Sequence, residues 1–430
     1  MWQKMKPLTA LITVMVAAVA LAGCADVAQP ATTEAPEIEA TAEPPVPTSE
    51  PEPTTDPEPT SEPEQPTAEA TEETAAEPTV ESPHASANVV YFAADGTTLM
   101  VYVIGTGKSW PHSGVNYPLE FPMPSPVTSF DTNIYGLARM GDDAPLQVFE
   151  ITPVQTRPLE LDIEGEPQAL AVAVAPGSPD IRLAVGAINF TEDSLGASLL
   201  LQTVDAPQGE LIAEQTGELI WYAPLRWSED GQRLYYSQEP VGIGGYILFG
   251  GWSSLLEYDV ATQTTTTLIP FDVAAFICLD DLSPDEQWVA HHCEPGAGIT
   301  LMKVAGDEPD VVIAPPEEIA SEVGQLGSAR FSPDGSRIGY ALARGVHESE
   351  QGWIAVTDDL SGASRLLLTG EPNTYYNVMG WADDHTLVVQ QYGSFGASPS
   401  DTAVWLVPVD GGEPVMIGEG RFVTVIPPLQ

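Results

Sequence analysis

The sequence predicts an all-β protein whose main domain is a β-propeller, a ring of four-stranded blades. From about residue 88 onward, short runs rich in Val, Ile, Leu, Tyr and Trp alternate with clusters of Gly, Asp, Ser and Pro. This alternation is typical of short antiparallel strands. A strand–turn–strand unit also recurs about every 50 residues, and four short strands in a repeat of that length are typical of a propeller blade.

The repeated unit consists of an aromatic residue or Leu, a tight turn that contains Asp, and a β-rich strand. Its fullest copy, Phe331–Tyr340, contains the turn Ser-Pro-Asp-Gly. In such a turn Pro presets φ, Asp accepts hydrogen bonds from its own backbone, and Gly takes the positive φ that closes the hairpin. The turn aspartates of the five copies are Asp180, Asp230, Asp285, Asp334 and Asp384, which are 50, 55, 49 and 50 residues apart.

The Ser-Pro-Asp-Gly turn resembles that of the TolB-like propeller family, which is related to the WD repeats. The likeness covers roughly residues 88–430 and implies a propeller fold, but a fold does not specify a ligand or an activity. The globular domain that precedes the propeller in TolB has no counterpart in this sequence. A Pro-rich segment occupies that place.

The blade count follows from the two ends of the domain. Ser129–Tyr135 has the spacing of a degenerate second blade, and residues 88–120 read as three strands without an inner one. The chain ends in one extra strand, Arg421–Ile426. We therefore expect the C-terminal strand to complete the first blade and to close a ring of seven blades. Six or eight blades are the alternatives, because roughly the first 90 residues of the domain have a weak pattern.

Residues 1–24 read as an export signal. Two lysines precede an apolar run, Leu8–Leu21, which is shorter than the about 20 residues of a membrane-spanning helix and matches a secretory signal. The run ends in Leu-Ala-Gly-Cys, which resembles the lipobox of bacterial lipoproteins. The resemblance implies that Cys24 is lipidated, and three fatty chains, as in that family, would anchor the protein stably. A plain signal peptide and an uncleaved anchor are the alternatives.

Residues 25–87 read as a disordered tether. They contain 16 acidic residues and 13 prolines, and no Lys, Arg or aromatic residue. Such a segment cannot bury enough apolar surface to offset its ordering entropy, and proline and charge repulsion favour extended conformations. We expect it to hold the propeller, residues 88–430, away from the membrane. A Pro-rich ligand for an adaptor domain is the weaker alternative.

The charge of the chain limits its partners. Its 62 acidic and 14 basic residues give a formal charge of −48, and residues 88–430 alone carry 46 acidic and 12 basic residues, a net charge of −34. Binding of nucleic-acid phosphates or of anionic lipid needs clustered Lys and Arg, so we exclude both. Self-repulsion of this size favours a soluble monomer. A protein ligand would be basic, and its binding would weaken with added salt.

Two of the three cysteines form a candidate disulfide. Cys278 and Cys293 flank the turn at Asp285 almost symmetrically, so on a hairpin they would face each other near disulfide distance. An exported protein is in an oxidising compartment. Two buried free thiols are the alternative. A metal site with His291 and His292 is disfavoured, because adjacent residues on a strand point to opposite faces.

We find no catalytic constellation in the sequence. The Gly-x-Ser-x-Gly and His-Glu-x-x-His motifs are absent, as is a phosphate-binding Gly loop. Acidic pairs are Asp142-Asp143, Asp280-Asp281 and Asp383-Asp384, and in so acidic a domain we interpret them as solvated surface. We expect no cofactor and no bound metal.

Candidate binding residues lie in the connections that follow the repeated turns. In a propeller these connections open on the face opposite the turns, and here they are long. They mix aromatic residues with Gly and Ser, a composition typical of recognition surfaces. The candidates are Tyr246, Phe249, Trp252, Trp353, Tyr392 and Phe395. The alternative is that these side chains pack onto the blades.

Two functions remain open from the sequence. We favour a lipid-anchored propeller on the outer side of a bacterial membrane, non-enzymatic, that binds a protein or glycan at the cell envelope. The alternative is a carbohydrate-active or other hydrolytic propeller whose carboxylates converge at the central channel.

Overall fold

A computed structural model gives the architecture of the domain. It describes residues 87–112, 127–130, 133–138, 146–152, 154–160, 168–176, 181–190, 195–240, 248–271, 278–292, 298–306, 309–345, 350–393 and 401–426, all within the compact unit Glu81–Gln430. The predicted signal and the predicted tether through residue 86 lie outside the described residues. Among the described residues, no helix is long and apolar enough to cross a membrane.

The described strands form seven antiparallel blades of four strands, with the last strand shared between two blades. Blade 1 contains β1 (Asn88–Ala93), β2 (Leu99–Val103) and β3 (Lys108–Pro111), with one 3-10 turn at Ile104–Thr106. Blade 2 contains β4 (Val127–Phe130), β5 (Asn133–Ala138), β6 (Gln147–Ile151) and β7 (Thr156–Pro158). Blade 3 contains β8 (Gln168–Val174), β9 (Arg182–Phe190), β10 (Leu195–Thr203) and β11 (Ala206–Thr216).

The remaining blades follow the same order from the inner to the outer strand. Blade 4 contains β12 (Ile220–Trp227), β13 (Arg233–Pro240), β14 (Leu255–Asp259) and β15 (Thr264–Ile269). Blade 5 contains β16 (Cys278–Leu282), β17 (Trp288–His292), β18 (Ile299–Lys303) and β19 (Val311–Ile313). Blade 6 contains β20 (Gln325–Phe331), β21 (Ile338–Ala343), β22 (Gly352–Thr357) and β23 (Ser364–Thr369). Blade 7 contains β24 (Tyr375–Asp383), β25 (Thr386–Tyr392) and β26 (Thr402–Pro408), and β27 (Val415–Ile426) ends the described chain.

Strand β27 closes the ring, as the sequence predicts. Its first half pairs with β26, from Val415 opposite Leu406 to Glu419 opposite Ala403. Its second half, from Gly420 onward, pairs with β1. One strand is therefore the outer strand of blade 7 and the inner strand of blade 1. Closure removes the two free edges that an open sheet would expose, and the expectation of seven blades is confirmed for the described residues.

The repeated turns have the predicted chemistry. In blade 6 the Ser332 hydroxyl donates to Asp334 Oδ1 at 2.6 Å, and the same oxygen accepts the Ser336 N–H at 2.9 Å. Gly335 has φ +72°. The turns of blades 4 and 5 repeat the Ser-to-Asp bond at 2.7 and 2.6 Å. Side-chain and backbone bonds within five residues thus set each hairpin locally.

The core lies between neighbouring blades, and aromatic side chains link them. All six residues of β21 and all six of β22 are buried, because the sheet of blade 6 is covered on both faces. Two tryptophans at equivalent repeat positions also reach the preceding blade. Trp227 Nε1 donates to the Ala173 carbonyl at 3.1 Å, and Trp381 Nε1 donates to the Arg330 carbonyl at 2.9 Å. Each fully buried large side chain contributes about 1.5–3 kcal/mol.

Candidate functional site

The two faces of the propeller differ in what they carry. The inner strands β12, β16, β20 and β24 end in the short Asp turns, which therefore define a turn face. The opposite face, where inner strands begin and second strands end, carries the longer connections. We call it the loop face. Because Arg421 lies at the start of the inner half of β27 and Tyr392 at the end of β25, both lie at the loop face.

The candidate aromatic residues that the structure describes do not form one exposed surface. Phe249 is 1% exposed and Trp353 is 2% exposed, so both pack between blades and do not fit the role of surface contacts. Trp252 and Tyr392 are half-buried. Tyr246 and Phe395 lie outside the described residues, as does the proposed lipidation site Cys24.

A segment of the blade 4 connection crosses the loop face. The Leu248 N–H donates to Gln325 Oε1 in blade 6 at 2.9 Å. Trp252 and Leu279 exchange two backbone hydrogen bonds of 2.8 Å. The segment therefore lies over blade 5, and Phe249 anchors it in the core against blades 6 and 7.

Beneath this segment lies a buried ion pair. His292 Nδ1 is 2.8 Å from Asp280 Oδ2, and its Nε2 is 3.2 Å from the Phe249 carbonyl oxygen. Burial by itself would lower the pKa of His292, but the Asp280 carboxylate and the adjacent Cys278 raise it to about 10. Both ring nitrogens then donate to acceptors. This imidazolium links the crossing segment to blade 5. Neither of its ring nitrogens is left to act as a general base.

Cys278 begins β16 and lies opposite His292 in the strand register. It is not in a disulfide in the described structure. Cys293, its predicted partner, lies outside the described residues, so the pairing stays a prediction. A one-residue bulge between Leu279 and Asp281 shifts the register, so that Cys278 is paired with His292.

In each acidic pair that the structure describes, one carboxylate links neighbouring blades. Asp281 Oδ2 accepts the Phe331 N–H of blade 6 at 2.9 Å. Burial raises the pKa of Asp281, and Arg330 and Arg226 oppose this rise. Asp384 Oδ1 accepts the Asp334 N–H between two turns at 2.9 Å. The interpretation as solvated surface is therefore corrected for Asp281 and Asp384, whose oxygens join blades, whereas Asp383 is exposed. Asp142 and Asp143 lie outside the described residues.

A second polar cluster occupies the loop face between blades 7 and 1. We call Tyr375, Asn377, Tyr392 and Arg421 the donor cluster. The rings of Tyr375 and Tyr392 stack with centroids 4.8 Å apart and an angle of 11° between planes. Asn377 lies beside Tyr392, and its Oδ1 is buried without a hydrogen-bond partner among the described residues.

Gly420 places Arg421 at this point. Gly420 has φ +124°, and a Cβ there would lie 1.8 Å from the Phe92 carbonyl oxygen, so only glycine fits. The Gly420 carbonyl accepts from Gln390 Nε2 at 3.0 Å and from Thr402 Oγ1 at 2.8 Å. The chain is therefore fixed where it passes from blade 7 to blade 1.

Arg421 differs from the other arginines that the structure describes. Its Nε is buried without a partner, as are those of Arg182 and Arg226, but those two arginines donate through other guanidinium nitrogens. Burial lowers the pKa of the Arg421 guanidinium, an effect that Tyr392 opposes. The others have hydrogen-bond or ion-pair partners: Arg157, Arg182, Arg226, Arg233, Arg330, Arg337, Arg344 and Arg365. A half-buried guanidinium without a partner costs free energy that binding of an acceptor would recover.

Sequence reasoning identified only Tyr392 of this cluster. Arg421 was assigned to the closing strand, and Tyr375 and Asn377 carried no motif. Arg421 could have been noticed in the sequence, because an arginine in the closing strand is unusual in a domain with few basic residues. Within the described part of the chain, no group of three or more His, Cys, Asp or Glu side chains could hold a metal ion.

Comparison with known proteins supports the fold and no more. No family model and no curated protein matches the chain. Solved structures with β-propeller-type folds do resemble it. The periplasmic gluconolactonase of Pseudomonas aeruginosa is 12% identical, with 80% of this chain and 99% of that chain covered and a TM-score of 0.46.

Two further structures resemble the chain. An oligogalacturonate lyase from Vibrio parahaemolyticus is 11% identical over 77% of this chain and 92% of that chain, with a TM-score of 0.46. A prolyl endopeptidase is 14% identical over 82% of this chain, with a TM-score of 0.51. This chain spans about half of that enzyme, 53%. At these identities the likeness shows the fold alone.

Proposed function

We propose that the protein is a lipid-anchored, extracytoplasmic β-propeller of the TolB-like type that binds a ligand at the bacterial cell envelope through its loop face. The observation that carries the proposal is the donor cluster. At this face the Arg421 Nε is buried without an acceptor among the described residues, and the Tyr392 hydroxyl lies within reach of the Arg421 charge. A binding role explains why an uncompensated charge is retained there.

The location part of the proposal rests on the sequence. The lipobox-like end of the signal supplies Cys24 as the attachment point. A tether of Pro-rich composition, at about 3.1 Å per residue when extended, gives the propeller reach on the outer side of the membrane. We infer a monomer in which the membrane is contacted by the lipid and not by the acidic propeller.

The ligand is a glycan or a protein of the envelope. The crossing segment at Leu248–Trp252 and the stacked tyrosines give the loop face a rigid aromatic framework with polar groups at its surface. Such surfaces bind ligands by shape and a few well-placed hydrogen bonds. The hydrolytic alternative gains no support from His292, because both of its ring nitrogens are engaged.

The test is proximity labelling on intact cells. Wild type is compared with Cys24→Ala, and membrane association, surface exposure and labelled neighbours are recorded together. We expect a membrane-bound, surface-labelled wild type with an enriched neighbour, and a mutant that is released. A wild type that is soluble, or that Cys24→Ala leaves on the membrane, would contradict the anchor.

A salt series separates the ligand classes. Binding of a basic protein should weaken as added salt screens the domain charge of −34. Binding of a neutral or acidic glycan should not follow that trend. Degradation of the bound glycan by the wild type would instead favour the hydrolytic alternative.

A further inference from the structure

We propose that the donor cluster binds a carboxylate-bearing sugar, such as a uronic acid unit of an acidic glycan. This inference rests on the proposed function and deepens it, because it assigns the ligand chemistry of the loop face. The donor cluster contains hydrogen-bonding groups that have no partner among the described residues.

Arg421 and Tyr392 supply the donors of the cluster. Arg421 has an Nε without a partner among the described residues. Burial raises the pKa of the Tyr392 hydroxyl, and the nearby charge of Arg421 opposes that rise, so the hydroxyl keeps its proton and can donate. A guanidinium and a phenol near each other suit the two oxygens of a carboxylate, since hydrogen bonds to a charged acceptor are the stronger kind.

The charge of Arg421 is opposite in sign to the net charge of the domain, and the buried Glu350 carboxylate acts on Tyr375 of the same cluster. Residues 88–430 carry 46 acidic and 12 basic residues, and every other described arginine has a partner. An arginine kept out of ion pairs in such surroundings is available for an anion from outside. The acidic domain repels a doubly charged anion more than a singly charged one, so a carboxylate fits better than a phosphate.

The neighbouring groups favour a sugar over a simple acid. The Tyr375–Tyr392 pair is stacked at 4.8 Å, and the half-buried Tyr392 presents an aromatic side chain beside the donors. Sugar rings carry apolar C–H faces that pack on aromatic rings, in the way mixed pockets combine apolar walls with a few polar groups. Asn377 Oδ1 is an acceptor without a partner, which a hydroxyl group of the ligand would satisfy.

The scaffold holds Arg421 before any ligand arrives. Gln390 donates to the Gly420 carbonyl at 3.0 Å and accepts the Phe422 N–H at 2.6 Å. The backbone on both sides of Arg421 is thus fixed by one buried side chain. A site whose main donor is already positioned loses less entropy on binding.

The test is calorimetric titration of the full chain, purified in detergent, with D-glucuronate, D-glucose, acetate and inorganic phosphate. D-glucuronate and D-glucose differ at one carbon, a carboxylate against a hydroxymethyl group. We expect D-glucuronate to bind at least about tenfold more tightly than D-glucose or acetate. Acetate binding as tightly would overturn the sugar assignment, and tighter phosphate binding would overturn the carboxylate assignment.

Variants assign the effect to Arg421. Arg421→Met should weaken D-glucuronate binding at least about tenfold, and Tyr392→Phe should weaken it by a smaller factor. Arg365→Met, which alters a paired arginine on an outer strand, is the matched control and should bind normally. Arg421→Lys keeps the positive charge, so D-glucuronate binding that survives in Arg421→Lys but not in Arg421→Met is due to the charge and not to misfolding. Unchanged binding by Arg421→Met would overturn the inference.

Failure of this inference and failure of the proposed function give different results. A neighbour captured on intact cells, with no D-glucuronate binding, keeps the binding role and rejects the carboxylate sugar. D-glucuronate binding by a chain that Cys24→Ala does not release keeps the site and rejects the anchor.

Discussion

The side-chain amide of Gln390 donates to the carbonyl of Gly420 at 3.0 Å, across the junction between blade 7 and blade 1. The same side chain accepts the N–H of Phe422 at 2.6 Å. Gln390 is 1% exposed, so water cannot replace it. One buried glutamine therefore links ring closure to the position of Arg421.

We expect Gln390→Leu to destabilise the domain. The change leaves the Phe422 N–H without its acceptor in a partly buried place, and an unsatisfied buried group costs about 1–3 kcal/mol. Denaturant unfolding should show that loss. Gln351→Leu is the control, because Gln351 is half-buried and its side chain makes a single bond, to the Gly370 carbonyl at 3.1 Å. Equal losses in the two variants would contradict a special role for Gln390.

Arg421→Met should not destabilise the domain, in contrast to an arginine with a structural role. Arg421 brings a partly desolvated charge without a partner, so its removal should leave the free energy of unfolding unchanged or raise it by about 1 kcal/mol. Arg226→Met should lower it by about 1–3 kcal/mol. Arg226 donates to the Leu282 and Ser283 carbonyls of the next blade at 2.8 and 3.0 Å.

Thermal and denaturant unfolding of both variants measure this difference. A large loss for Arg421→Met would show that Arg421 is needed for folding, and the binding role of its unused donors would lose its main argument.

The stability supplied by His292 should depend on pH. The pKa of His292 is about 10 in the folded protein, against the ordinary value of 6.5, because of the Asp280 carboxylate. Its contribution is therefore complete below pH 6.5 and is lost as the pH rises toward 10. Between pH 6.5 and 9 the loss should be on the order of 3 kcal/mol.

The measurement is the difference in unfolding free energy between wild type and His292→Gln at each pH, with a thiol reductant present to keep Cys278 reduced. Taking the difference removes the titration of other groups. The difference should shrink as the pH rises. A difference that stays constant from pH 6.5 to 9 would contradict an imidazolium in the folded state.

The turn glycine of blade 6 should not tolerate a side chain, because its backbone has a positive φ. Gly335 has φ +72°, and an added Cβ would meet nothing closer than Pro284 Cδ at 3.5 Å. Gly335→Ala should therefore lower the free energy of unfolding by about 1 kcal/mol through strain in the left-handed region. Gly250→Ala is the control, since Gly250 is outside that region with no atom within 4 Å of its added Cβ. A loss of equal size in both would argue against the strain.

The fold could be predicted from the sequence because its signals are local. Each Ser-to-Asp turn is fixed by bonds within five residues, as at Ser332 and Asp334, so the motif and its spacing report the blades directly. Closure by Arg421–Ile426 was predictable by counting, since blade 1 lacked one strand and the chain had one to supply.

The donor cluster could not be predicted in the same way because its members meet through ring closure. Tyr375 and Tyr392 are brought together by the β24–β25 register, and Arg421 arrives from a strand paired with β1, more than 300 residues away in sequence. Whether an aromatic side chain is exposed also depends on the segments that pack around it, which a local sequence pattern does not report. Phe249 lies in a Gly-rich connection typical of a surface, yet the crossing segment carries it into the core.

Hydrogen–deuterium exchange of the full chain, with and without saturating D-glucuronate, tests most directly whether the loop face binds the ligand at the donor cluster. We expect slower exchange at Tyr392 and at Gly420–Phe422, with no change at the turns Ser228–Arg233 and Ser283–Trp288. Slower exchange at those turns, with none at Tyr392 and Gly420–Phe422, would place the binding face on the opposite side of the propeller.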